Sequence, residues 1–350
     1  MKKLLLSTAL LISVFTLSYG QNPTVTAVDS ASIVKDTTYW HRGTTFSLNL
    51  SQTSLTNWNA GGQNAIAYNA LSTSYLNYEK GRLVYSNALT MAFGQADLGG
   101  KGWRKTDDRL YYVSKLSHEK SKKFRYTVYL DFLTQFADGK NYIQSNANPK
   151  VDSAVLVSKF LSRAYSSFAL GLEYTPFNGM FIFFSPATIK TTIVGYQPFA
   201  NNGNFGVRPQ YIDANGRHVA GKNFLFEPGA MLDVIYKKDI AKNISVQTKL
   251  SLFWAYIRKD YNIDPTSGRL LGSEYVFYKN VDVMWDFSLV MKVTKYINAS
   301  ITTSLIYDDD IKVFRTKYTN DPTNPHAYGP AIQFKQVLGI GLQGMLKSKY

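Results

Sequence analysis

Inside the longest apolar stretches of this chain, polar and charged side chains recur at alternate positions. They are Asp131, Gln135, Glu173, Asp233, Gln247, Lys249, Asp282, Asp286 and Lys292. Carboxylates and ammonium groups gathered on one face have two uses. They pair with each other and plug an interior, or they line a water path and select solutes by charge. Both uses need charges of both signs, and the residue types leave both open.

Other groups with chemical potential are fewer. Two acidic strings, Lys105-Thr106-Asp107-Asp108 and Asp308-Asp309-Asp310, bring carboxylates close enough to suggest Ca²⁺, which takes several oxygen ligands. Neither has calcium-loop spacing, so solvated loop charge is the preferred reading and no metal is expected. The histidines are His41, His118, His218 and His326, and no two have metal-ligand spacing. A lipid-cleaving Ser-His pair would need a histidine on an outer wall near a strand's upper end, and none falls there. The chain is expected to be no enzyme and to need no cofactor. It has no cysteine, which excludes a disulfide framework and thiolate chemistry.

The string Asn57-Trp58-Asn59-Ala60-Gly61-Gly62 is the most unusual locally. Gly61 and Gly62 permit positive φ, and Trp58 suits a membrane interface. A tight turn between strands is preferred to a loop folded into an entrance. Basic residues collect at the expected short turns, among them Lys80, Arg82, Lys237 and Lys238. Others stand on the long connections, such as Arg208, Arg217, Arg258, Lys259 and Arg269. Lipid phosphates are available partners for the latter set, although solubilising charge at strand ends accounts for most. The net charge of +15 falls by two once Lys2 and Lys3 are removed. Such a balance attracts phosphate-bearing lipids. Outer-membrane lipid, with lipopolysaccharide as one candidate, is the expected partner; nucleic acid is not, for an exported chain.

The elements that must position these groups show a period of two. Tyr126, Val128, Leu130 and Phe132 alternate with Arg125, Thr127, Tyr129 and Asp131. Val281, Val283, Trp285, Phe287 and Leu289 alternate with Asp282, Asp286 and Ser288. One face of each such strand suits lipid and the other water. Soluble sandwiches also alternate but rarely sustain it over eleven or more residues. The pattern predicts twelve strands at 44–54, 63–78, 83–94, 109–117, 124–136, 164–175, 180–195, 224–237, 244–256, 281–294, 299–307 and 331–350. Ten or fourteen remain compatible with it. Short joints alternate with long ones, as the inner turns and outer loops of bacterial barrels do. In 180–195, Ser185-Pro186 interrupts the run and favours a bulge or a strand end.

Both ends agree with this reading. Phe334, Gln336, Leu338, Ile340, Leu342, Gly344 and Leu346 hold one parity towards a terminal Tyr350. Residues 1–20 read as a secretory signal: Lys2 and Lys3, then an apolar run from Leu4 to Leu17, then Ser18-Tyr19-Gly20. Cleavage is expected after Gly20, with 21–42 a flexible periplasmic lead-in and 43–350 the barrel. No later stretch has the apolar length of a membrane-spanning helix.

Several strings, in order, carry a resemblance. Ser54-Leu55-Thr56-Asn57-Trp58-Asn59-Ala60-Gly61-Gly62, Asn77-Tyr78-Glu79-Lys80-Gly81, Lys105-Thr106-Asp107-Asp108, Gln135-Phe136 and Phe184-Ser185-Pro186-Ala187 resemble an uncharacterised domain-of-unknown-function family of exported Gram-negative proteins. The likeness runs from about Trp40 to the C-terminus. Asn59 stands where a small residue is expected, and Tyr85 where tryptophan is. The resemblance implies an outer-membrane β-barrel and supplies no catalytic or binding residues.

The expectation is a monomeric, antiparallel, up-and-down barrel in the outer membrane of a Gram-negative bacterium. Its first functional reading is a channel or transporter for small solutes. Small lumen-side residues such as Ser245, Ser251, Ser288, Ser300, Thr302, Ser304, Gly339 and Gly341 leave room for water. The alternative is a non-conducting barrel serving envelope assembly or interaction, favoured by long loops rich in tyrosine and basic residues.

Overall fold

The computed structural model describes residues 39–55, 64–144, 152–277, 279–294, 296–314 and 328–347. The expected signal, most of the lead-in, the Asn57, Trp58, Gly61 and Gly62 loop motif and Tyr350 lie outside these. Twelve strands close into one barrel: β1 (Trp40–Thr53), β2 (Ala65–Lys80), β3 (Leu83–Leu98), β4 (Arg104–Glu119), β5 (Phe124–Thr134), β8 (Ala164–Tyr174), β9 (Met180–Ile193), β12 (Phe224–Ala241), β13 (Ile244–Ala255), β16 (Asp282–Lys292), β17 (Ile297–Tyr307) and β20 (Gln333–Lys347). Each pairs antiparallel with its neighbour in that order. The seam closes where β1 meets β20, with Phe46 opposite Gly344, Leu48 opposite Leu342 and Asn49 opposite Gly341. Closure leaves no barrel strand with an unpaired edge, which hydrocarbon does not tolerate.

The alternation sorts side chains as the sequence predicts. Leu48, Leu50, Tyr126, Val128, Leu130, Phe168, Leu170, Leu172, Trp254, Phe334, Leu338, Ile340 and Leu342 are all exposed on the outer wall. Polar atoms on that wall are satisfied locally. The Tyr112 hydroxyl donates to Asn87 Oδ1 (2.9 Å), and Asn87 Nδ2 donates to the Leu76 carbonyl (3.1 Å). Trp285 Nε1 donates to Thr248 Oγ1 (2.9 Å).

Two boundaries differ from expectation. Trp40–Arg42, assigned to the lead-in, belong to β1. The Trp40 ring packs 4.9 Å from that of Tyr78, and the Glu79 amide donates to the Tyr39 carbonyl (2.8 Å). The long connections, expected as loops, carry hairpins: β6 (Gly139–Gln144) with β7 (Asp152–Ser158), β10 (Tyr211–Ile212) with β11 (His218–Val219), β14 (Ile257–Ile263) with β15 (Leu270–Phe277), and β18 (Lys312–Phe314) with β19 (Tyr328–Pro330). Turn chemistry supports them. Asp213 Oδ1 accepts from the amides of Asn215 and Arg217. Asp264 accepts from the Thr266 amide and the Ser267 hydroxyl, which hold its carboxyl below the ordinary range. Between β9 and β12 the one-turn helix α1 (Gln197–Asn201) and a 3-10 turn (Asn204–Gly206) have a small core of their own: Val194, Phe199, Ala200 and Val207, joined by Leu156, Phe205 and Leu225.

Ser185-Pro186 resolves as a bulge inside β9. The register shifts on both sides, between Leu170 and Leu172 of β8 and between Gly229 and Met231 of β12. The carbonyls loosened by the bulge find other donors. Ser185 Oγ donates to the Leu170 carbonyl (2.9 Å), and the Tyr256 hydroxyl donates to the Pro186 carbonyl (2.7 Å). A Cβ at Gly171 would stand 2.2 Å from the Phe184 carbonyl oxygen, so only glycine fits beside the bulge.

Two outcomes follow. Gly171→Ala is expected to cost about 1–3 kcal/mol through overpacking, read by denaturant unfolding in bilayers. In the same assay Leu250→Arg, mid-strand on the outer face, should cost about 2–4 kcal/mol. Ser300→Arg should cost far less, because it points inward over Gly339. Equal costs at 250 and 300 would refute the assignment of faces.

Candidate functional site in the barrel lumen

The inner wall is not uniform. From β4 through β16 it is filled by large and charged side chains. Tyr111, Val113, Tyr129, Phe183, Met231 and Phe253 form one buried cluster across β4, β5, β9, β12 and β13. Around it run ion pairs. Lys115 of β4 reaches over β5 to Glu173 of β8 (2.5 Å), which Arg125 also approaches (3.3 Å). Lys249 of β13 pairs with Asp233 of β12 (3.3 Å). Lys190 of β9 reaches past β12 and β13 to Asp282 of β16 (2.7 Å) and to Asp308 (3.5 Å). These last contacts are chords of the barrel, tying together strands that are not neighbours.

Hydrogen bonds complete the network. The Tyr111 and Tyr129 hydroxyls meet at 3.3 Å, and Tyr129 donates to Asp131 Oδ2 (2.9 Å). The Ser167 amide donates to Asp131 Oδ1 (2.7 Å). Ser304 Oγ donates to Asp286 Oδ1 (2.7 Å). Arg109 lies within electrostatic reach of Asp107 and, across the bore, of Asp286. Glu173, Asp233, Asp286 and Arg109 are 5, 6, 7 and 4% exposed, so these charges are largely withdrawn from water. An ion stripped of water costs several kcal/mol unless paired and hydrogen-bonded, which is why opposite charges meet here. Pairing is incomplete: Glu227 Oε2, Asp233 Oδ1, Gln247 Nε2 and the Tyr165 hydroxyl are buried with no hydrogen-bond partner among the described residues.

The other half is different in kind. Inward positions on β17, β20, β1 and β2 include the small or neutral Ser300, Thr302, Gly339, Gly341, Ser47, Asn49, Asn69 and Thr73, most of them half-buried. Leu71 and Tyr75 of β2 share this face, and the Tyr75 ring lies over Gly43. Thr73 and Thr90 hydroxyls meet at 3.2 Å, one of few side-chain bonds there.

The candidate residues fall into place as follows. Asp131, Glu173, Asp233, Gln247, Lys249, Asp282 and Asp286 come together in the filled half. Gln135 lies at the long-loop end of β5 and accepts from Lys105 Nζ (3.4 Å). Lys292 shares the parity of Asp286 but ends β16 exposed at the short-turn side, away from the network. Sequence reasoning omitted Arg109, Lys115, Lys190 and Glu227. The signal was present: each is a charge within an alternating segment, which defaults to the water face.

The acidic strings are engaged. Asp107 Oδ2 accepts from Asn69 Nδ2 (3.0 Å). Asp108 accepts from the Phe136 and Ala137 amides (3.0 and 2.8 Å) and from Lys105 Nζ (2.8 Å). Lys105 also donates to the Ala137 carbonyl (2.7 Å), so Lys105-Thr106-Asp107-Asp108 and Gln135-Phe136 form one latch at the rim. In the second string Asp308 joins Lys190, Asp309 accepts from the Tyr307 hydroxyl (3.2 Å), and Asp310 pairs with Arg258. Among the described residues no group of three or more histidine, aspartate or glutamate side chains is placed to hold a metal ion.

Comparison with known proteins adds the following. No curated protein matches the chain in sequence. Solved structures with a similar course include the translocator domain of autotransporter NalP from Neisseria meningitidis, at 9% identity, 88% of this chain, 90% of that chain and TM-score 0.33. The Pseudomonas putida toluene transporter TodX gives 7% identity, 89% of each chain and TM-score 0.32. A Pseudomonas aeruginosa FadL homologue gives 8% identity, 87% of this chain, 89% of that chain and TM-score 0.30. A family model described as a protein of unknown function, DUF3078, matches residues 50–140, a shorter span than the resemblance suggested. Residues 50–140, from the end of β1 through β5 to the start of β6, are thus the part of this closed barrel that matches the unknown-function family DUF3078.

Proposed function

We propose that this chain is a monomeric outer-membrane barrel, without catalytic activity, that passes small solutes along one side of its lumen. The observation that carries the proposal is the asymmetry of the inner wall. Small or neutral residues such as Ser47, Asn49, Ser300, Thr302, Gly339 and Gly341 line much of β17, β20 and β1, opposite a half crossed by ion-paired side chains. In this reading solutes pass beside the small residues, and the ion-paired struts brace the opposite wall. Selectivity would come from the charged groups bordering the seam, Asp286 through Ser304 above all. The apolar outer wall supports residence in a bilayer, and the alternation of short turns with long, folded outer connections supports the outer membrane.

A second reading has its own support. The chords through Lys190 cross the bore near the long-loop end, and the long connections are extensively folded. That favours a closed barrel that works by contact with other envelope components.

The two readings part in a planar bilayer. Refolded wild-type protein is expected to give small, steady single-channel steps. Gly339→Trp should cut them several-fold, because a Cβ at 339 meets only ordinary contacts, Ser300 Oγ at 3.5 Å and Asn49 at 3.9 Å, so a bulky ring there would project into the bore. A silent wild type would favour the contact reading. A conducting Gly339→Trp at wild-type level would place the path elsewhere.

A further inference from the structure

The β14–β15 hairpin continues the β13–β16 pair beyond the barrel rim, with Ile257 opposite Phe277 and Lys259 opposite Tyr275. Its two faces differ. Arg258 pairs with Asp260 and with Asp310, which follows β17, so that side turns over the lumen. The neighbouring position, Lys259, turns the other way. It lies 5.7 Å from the Tyr261 ring centroid and 5.4 Å from that of Tyr275. On this outward face Tyr275 is 68% and Phe277 82% exposed. Val283 begins the outer wall of β16, and Trp254 heads the same wall on β13, its ring 5.7 Å from that of Tyr256, which directly precedes β14. The apolar outer surface therefore does not stop at the rim here. It runs on into an aromatic face carrying one ammonium group.

We infer that this face is a membrane-interface anchor: Phe277 and Tyr275 seat in the outer headgroup layer, and Lys259 meets an anionic lipid phosphate. Three features choose lipid as the occupant. The face is continuous with the lipid-facing wall. Aromatic rings with a polar tip and an amphipathic lysine are the side chains that favour the membrane–water boundary. The ammonium is held between two rings, where it complements an anion without first being ordered. The inference rests on the membrane reading above.

The absence of cysteine makes the test clean. Single cysteines at 250, 266 and 277 (Leu250→Cys, Thr266→Cys, Phe277→Cys) are labelled with an environment-sensitive fluorophore. The full-length protein is then reconstituted into brominated phosphatidylglycerol. Strong quenching at 277, near that at 250 and several-fold above that at the hairpin turn at 266, is the expected result. Quenching at 250 but not at 277 overturns the anchor and leaves the barrel's placement intact. No quenching at 250 refutes the membrane reading itself. Adding Lys259→Gln should reduce quenching at 277 in phosphatidylglycerol but not in a brominated neutral glycolipid lacking phosphate. An equal loss in both would show that Lys259 merely props Tyr275, and would overturn the phosphate contact.

Discussion

The constraint on which this structure depends is that a backbone amide or carbonyl in hydrocarbon has no water to fall back on. Everything regular about the fold answers it. Twelve strands pair round to their own start, and β1 and β20 meet along Gly43 to Asn49, so the wall has no free edge. The irregular places show the same rule more sharply. At the β9 bulge the ladder breaks on both sides, yet Ser185 covers the Leu170 carbonyl and Tyr256 covers that of Pro186. A serine and a tyrosine hydroxyl take the role that two backbone amides would have had. Proline is tolerated mid-strand only because that repair is local and complete.

A related rule governs the inside, where the wall can choose between water and self-pairing. The β4–β16 half has chosen pairing, and its chords matter mechanically. A sheet held only by neighbour-to-neighbour bonds can flatten or splay. Lys190 to Asp282 ties strands three places apart, and Lys115 to Glu173 ties strands two places apart. The β17–β2 half is tied differently: Asn69 of β2 bonds Asp107 of β4 past β3, and many of its inward side chains are short. Stiffness is therefore concentrated on one side and open volume on the other. That division is what a narrow path needs: a wall that moves little beside groups that do not fill the bore. The unpartnered oxygen of Glu227 sits at the upper border of the stiff half, beside Lys190 in register, where another hydrogen-bond donor would complete it.

Much of this was legible from residue order alone, for a physical reason. In a barrel each strand's face is set by parity, so Leu250 and Lys249 are assigned to opposite walls without knowing any contact. Strand number and position followed from the same rule, as did the grouping of Asp131, Glu173, Asp233, Lys249, Asp282 and Asp286. Three things were not legible. Which lumen charges meet depends on the bore's cross-section, so the Lys190–Asp282 chord has no trace in either strand's sequence. Whether a strand ends at the rim or runs on as a hairpin depends on turns such as Asp264 to Gly268, which look like ordinary loop chemistry. And the buried cluster inside that half comes from Tyr111, Phe183 and Phe253 packing together from strands far apart in sequence.

The strings behind the family resemblance bear on what the 50–140 segment specifies. They do not gather in the lumen network. Lys105, Asp108, Gln135 and the Phe136 and Ala137 amides meet at the long-loop end, where β4 and β5 leave the barrel, and Asn69 of β2 joins through Asp107. Asp108, with its side chain 2% exposed, accepts two backbone amides that the end of β5 would otherwise leave unpaired. The carboxylate thus does for the rim what Ser185 does for the bulge. Acidic residues read in the sequence as solvated loop charge instead receive backbone donors, and Lys105 pairs with Asp108 at 2.8 Å. By this reasoning the segment encodes the closure of the wall at its hardest point, the place where strands stop.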